Sequence, residues 1–175
     1  QLASAAVGIV LFVVVARAGH RAIRTWAPVI CAVCVVVLVA VLVIGVTVNG
    51  TRGWIRFPGG ISLQPSEFAK IALVIGLSYL LAERTEVNGR SVPTIGDAIW
   101  SLLLAGVLVG LVLAQPDVGT SVVLAATAVG ILVLSGVRLR SLLALAVGCG
   151  VLVAVALRLG LVADYQIERI VAFAD

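Results

Sequence analysis

Three short stretches of this chain bring together residue types that could bind or process a charged ligand. Gln64-Pro65-Ser66-Glu67-Phe68-Ala69-Lys70 places an acid and a base three residues apart, hence on one helical face where they can pair. Pro65 suits a first helical turn, and Glu67 beside it meets the positive end of the helix dipole. Glu67 and Lys70 are either a capping acid with a packing salt bridge or the lining of a cavity for an anion. Gln115-Pro116-Asp117-Val118-Gly119-Thr120 repeats the pattern of glutamine, proline and acid. Pro116 stops one helix, and Asp117 is placed to cap the next or to face a shared polar vestibule. The third stretch, residues 49–60, holds Arg52, Arg56 and Trp54 among four glycines. Arginine binds phosphate through two parallel hydrogen bonds, and glycine lets backbone approach a ligand closely.

These side chains need elements to hold them, and composition says which. Of 175 residues, 62% are hydrophobic and 11% charged, and the mean hydropathy is +1.27. A soluble domain carries about 25% charged residues, so this chain has too little charge to solvate one. Disorder is excluded for the same reason, and three cysteines are too few for a disulfide-stapled module. Continuous apolar runs exclude a β-barrel, whose strands alternate. What remains is an all-α, polytopic transmembrane helical bundle in the lipid bilayer. Residues 1–175 read as a single integral-membrane domain truncated at both ends, since the chain starts with Gln1 inside an apolar run.

A span needs about 17–25 apolar residues. Six segments are expected: 2–16, 27–48 with Pro28 near its start, 65–82, 97–114, 118–137 and 142–163. Short cytoplasmic loops collect arginine. Arg17, Arg21, Arg24, Arg84, Arg90, Arg138 and Arg140 fall on one side of this arrangement, against Arg52, Arg56 and Arg169 on the other. The segments 49–64, 115–117 and 164–175 are therefore expected outside the cell. This orientation accounts for most of the net charge of +4. Dispersed arginines without interleaved aromatics argue against nucleic acid as a partner.

Other features point to structure. Cys31 and Cys34 lie within an apolar span and read as small buried thiols. His20 is the single histidine, so no histidine metal cluster can form. Asp97 reads as a helix cap. Arg158, deep in the sixth span, either snorkels or pairs with an acid on another helix.

The three stretches in this order resemble the consecutive motifs of the SEDS family, which comprises FtsW, RodA and SpoVE. Residues 49–55, 64–70 and 115–120 carry the resemblance, which covers nearly the whole chain and corresponds to helices two to seven of about ten. It implies a bacterial membrane glycosyltransferase that polymerises lipid II into peptidoglycan strands during cell division or cell-shape maintenance. The partners implied are lipid II, an undecaprenyl-pyrophosphate-linked glycan and a class B penicillin-binding protein. The implied location is the cytoplasmic membrane, multi-pass, with the active face extracellular or periplasmic. By the same resemblance Arg52, Glu67, Lys70 and Asp117 are substrate-binding residues, supported by Trp54, Gln64, Gln115 and Arg56. Gly53 intervenes before Trp54, which loosens the register there, and Ile61-Ser62-Leu63 stands where many members carry a basic residue. A divalent cation, magnesium or manganese, is the candidate aid to the pyrophosphate leaving group, with its ligands unknown. The family's catalytic aspartate is expected just beyond Asp175, so none of these residues is expected to be catalytic and the fragment itself is expected to be inactive. Two other readings compete. A lipid II flippase or transporter would need a polar path through the midplane, and a membrane scaffold would only recruit a penicillin-binding protein.

Overall fold

The computed structural model describes residues 2–48, 50–57, 62–138, 140–145 and 147. Most of the sixth expected span, Arg158 and the run to Asp175 lie outside the described residues.

Four helices form the body: α1 (Leu2–Ile44), α2 (Pro65–Val87), α3 (Ile95–Leu113) and α4 (Val118–Leu134). Each boundary has a local cause. Pro65 opens α2, where its missing N–H is no loss. Gly89, at φ +60, closes α2, with its N–H on the Glu86 carbonyl. A capping box starts α3: the Thr94 N–H donates to the Asp97 carboxylate at 2.8 Å, and the Thr94 hydroxyl joins it. Asp117 caps α4 by accepting the Thr120 N–H at 3.1 Å. The helix caps expected of Asp97 and Asp117 are both present.

The first two spans need correction. Residues 2–44 form one long element interrupted at Gly19, whose φ of 71° and ψ of 158° break the helix. Arg17, Arg21 and Arg24 therefore sit on helix either side of that break, not in a loop. Pro28 lies inside the second segment, Gly19–Ile44, rather than at its start. That segment ends at Ile44, because residues 46–48 leave the helix to pair as a strand.

The connection between α1 and α2 is a small antiparallel sheet in the order β1 (Val46–Val48), β2 (Thr51–Arg56), β3 (Ser62–Leu63). The bundle is helical as expected, and this segment is its exception. Val46 pairs with Trp54 and Thr47 with Arg52, leaving Gly53 as the extra residue of a bulge. The inserted glycine seen in the sequence is therefore a structural device.

Among the described residues, three helices are long and apolar enough to cross a membrane: Gly19–Ile44, Pro65–Val87 and Ile95–Leu113. Val118–Leu134 is apolar but, at 17 residues, sits at the short limit. Leu38 from α1, Leu73 and Leu77 from α2, Leu108 and Val112 from α3, and Leu124 from α4 are buried in one core. Large apolar residues such as Val36, Ile71, Leu103 and Val122 face outward. A bundle apolar both inside and out is what lipid as solvent requires.

Candidate functional site

The C-terminal ends of α1 and α3 meet the N-terminal ends of α2 and α4 at one end of the bundle, and the sheet lies over this junction. Asp117 is its centre. One carboxylate oxygen, Oδ2, accepts from Gln64 Nε2 at 3.0 Å and from the Thr120 hydroxyl at 2.7 Å, with the Ser66 hydroxyl at 3.5 Å. The other, Oδ1, accepts from the Thr120 N–H. The motif that opens α2 and the motif that opens α4 are thus joined by a charged hydrogen-bond cluster, although 53 residues separate Gln64 from Asp117. Ser66 and Thr120 are members that the sequence reading passed over. Thr120 could have been found from its place three residues after a capping aspartate.

Gln115 ties the hairpin to this cluster. Its carbonyl accepts the Arg52 N–H at 3.2 Å, and its fully buried side chain donates to the Leu38 carbonyl at 3.3 Å. Its Oε1 lies within 2.9 Å of where a Cβ on Gly53 would stand, so the bulge accommodates the amide.

The remaining expected binding residues are placed differently. Arg52 turns its guanidinium onto α1, with Nη2 donating to the Val43 carbonyl at 3.0 Å and Nε to the Gly45 carbonyl at 3.3 Å. A cation there complements the negative end of the helix dipole. Lys70 Nζ donates to Glu67 Oε1 at 2.8 Å, and the pair faces outward. Among the described residues no hydrogen bond or ion pair joins Arg52's guanidinium, Glu67 or Lys70 to Asp117. Arg56 is exposed at the end of β2 and its side chain has no polar partner among the described residues, while Trp54 is half-buried. Beside the junction, an apolar cavity of about 360 Å³ runs between α1 and α2, lined by Val29, Val33, Val37, Leu63, Pro65 and Phe68.

No three His, Cys, Asp or Glu side chains converge among the described residues. With both Asp117 oxygens held by protein donors and no cluster of three potential ligands among the described residues, this donor set does not fit a divalent cation. Cys31 is buried, with its thiol donating to the Ala72 carbonyl at 3.4 Å, and Cys34 is half-buried; both are free thiols. The opposite end of the bundle is held by ion pairs. Arg24 bridges Glu83 and Glu86, and the buried Asp97 lies 3.6 Å from Arg90 and 4.0 Å from Arg84.

A family model described as "Cell cycle protein" and labelled FtsW/RodA/SpoVE matches residues 1–175. The stage V sporulation protein E of Bacillus subtilis is 30% identical over the whole chain, which covers 46% of that protein. A probable peptidoglycan glycosyltransferase FtsW of Trichlorobacter lovleyi is 36% identical, again over the whole chain and 45% of its relative. The chain spans about half the length of these curated relatives. Among solved structures, a chain of a peptidoglycan synthase complex that coordinates polymerization and crosslinking superposes with a TM-score of 0.76 at 27% identity, over 98% of this chain and 48% of that one.

Proposed function

The chain belongs to the FtsW/RodA/SpoVE family of cell cycle proteins, and from that premise we propose that its parent polymerises peptidoglycan glycan strands from lipid II. The acceptor's 4-hydroxyl loses a proton to a base and bonds to the donor's anomeric carbon. The bond from that carbon to the diphosphate breaks, and undecaprenyl diphosphate leaves. The base is expected in the family's large outer loop, outside the described residues. Both carboxylates at the junction are committed, Glu67 to Lys70 and Asp117 to its donors. Their roles are accordingly binding and positioning.

The observation that carries this reading is a charged junction adjoining an apolar cavity at one end of the helical bundle. Arg56 and the Glu67–Lys70 pair supply charged groups on the sheet and at the start of α2, and the cavity walled by Leu63 and Pro65 supplies apolar surface. A diphosphate joined to a polyprenyl chain has the same two-part chemistry. Arg52 contributes by fixing the hairpin on α1, or by transferring a hydrogen bond from the α1 carbonyls to phosphate when substrate arrives. The cytoplasmic membrane, with this junction outside, and a penicillin-binding partner complete the proposal. The relative complex with polymerization and crosslinking in one assembly supports the partner.

The test is glycan polymerisation from lipid II by the purified full-length parent. Arg52→Ala and Asp117→Ala are each expected to lower product by at least about tenfold, the scale of losing charge-assisted hydrogen bonds, with membrane insertion unchanged. Normal polymerisation by both variants would overturn the site. Translocation of lipid II in vesicles without polymerisation would overturn the activity.

A further inference from the structure

The end of the bundle opposite the junction holds a second hollow. A cavity of about 480 Å³ lies between the α2–α3 connection and the segment after α4, walled in part by Gly89, Arg90, Ser91, Thr94, Arg138 and Ser141. Its charge is of one sign. Arg138 is exposed, and its guanidinium has no partner among the described residues. Arg90 makes a 3.3 Å bond to the Thr94 hydroxyl and a 3.6 Å ion pair with Asp97. Asp97 is shared with Arg84 at 4.0 Å, so one carboxylate is divided between two guanidinium groups. The nearby acids Glu83 and Glu86 are bound to Arg24. The Ser91 and Ser141 side chains make no hydrogen bond among the described residues. Guanidinium and hydroxyl donors around a hollow are the chemistry of phosphate recognition.

The surroundings decide which phosphate. Val92 and Ile95 line the same cavity and are 44% and 46% exposed. Ser91 and Pro93 also border a neighbouring cavity of about 440 Å³ between α2 and α4, lined by Leu81, Ala82, Ile131 and Leu134. A polar hollow at a helix-bundle end thus shares a wall with a more apolar one between the helices. A free phosphate would satisfy the arginines and leave the apolar cavity bare. We propose that this pair of cavities binds an anionic phospholipid, with its headgroup phosphate between Arg90 and Arg138 and an acyl chain against Leu81 and Ile131. Basic pockets between membrane helices are suited to such headgroups.

The test uses the purified full-length parent in neutral detergent, titrated with dioleoyl phosphatidylglycerol or dioleoyl phosphatidylcholine and read by native mass spectrometry. Phosphatidylglycerol should bind at least about tenfold more tightly, and Arg138→Gln should remove most of that preference. Arg138 is exposed and has no polar partner among the described residues, so this variant should keep the wild-type melting temperature in phosphatidylcholine. Arg17→Gln with Arg21→Gln removes more charge from the exposed surface of α1 and should leave the preference intact. Millimolar inorganic phosphate should not displace the lipid. An unchanged preference in Arg138→Gln, an equal loss in the Arg17/Arg21 variant, or full displacement by inorganic phosphate would each overturn the proposal.

Discussion

Replacing Gly53 by alanine would set a methyl group 2.9 Å from the Oε1 of a fully buried Gln115. The neighbour cannot swing away without giving up its bond to the Leu38 carbonyl. The expected cost is about 1–3 kcal/mol, the range for overpacking a well-filled site, read as a lower melting temperature of the detergent-solubilised protein. In a Gln115→Ala background the same substitution should cost markedly less, since the obstructing amide is gone. Equal costs in both backgrounds would mean that the bulge does not owe its glycine to this contact. At this scale the sequence was partly legible. The position of Asp117 directly after Pro116 marks it as a candidate cap, because capping is local. That Gln64 completes the Asp117 cluster was not legible, because nothing in a single sequence pairs positions 53 apart. The residue type of Arg52 alone suggests a ligand for phosphate. The structure gives its guanidinium to two carbonyls at the end of α1, an acceptor that no side-chain pattern announces.

Helices α1 and α2 come close together where Gly76 faces Cys31. A Cβ on Gly76 would come within 2.4 Å of Cys31 Sγ. Small residues at such crossings let membrane helices pack where no hydrophobic driving force separates protein from lipid. Gly76→Val should therefore push the helices apart and lower the melting temperature, by roughly 1–3 kcal/mol in stability. Cys31→Ala should recover part of that loss by removing the sulfur, and no recovery would show that other neighbours set the approach. The Cys-x-x-Cys spacing is thus accounted for by packing on α2 for Cys31, in line with its reading as a buried thiol. Elements with a long apolar period were legible, and α2, α3 and α4 begin within two residues of the expected spans. The sheet was not. Its strands have 3, 6 and 2 residues, too short to show an alternating pattern, and β2 is interrupted by its bulge. Such a sheet is marginal alone and persists because it is docked on helix ends through Arg52 and Gln115. The break at Gly19 is not legible for a different reason: flanking arginines on helix look the same in sequence as arginines in a loop.

Across the whole molecule the two ends carry different chemistry, and the bilayer must lie between them. At one end are the hairpin, Gln64 and Asp117; at the other are Arg24, Arg84, Arg90 and Arg138 with their acids. The excess of arginine at the second end sets the expected orientation, since such loops resist translocation. Ser62 in β3 and Asn88 after α2 are both exposed and lie at opposite ends of the same helix. In a full-length parent with Cys31, Cys34 and Cys149 replaced by serine or alanine, Ser62→Cys should react with a membrane-impermeant maleimide on intact cells stripped of their outer layers. Asn88→Cys should react only after permeabilisation. The reverse pattern would place the junction inside the cell, away from any extracellular glycan, and would move the proposed phospholipid site to the outer leaflet. Labelling of both positions from one side would mean that α2 does not cross at all. Its 23 residues and the charged groups held at each of its ends argue against that outcome, because about 20 helical residues match the hydrocarbon thickness.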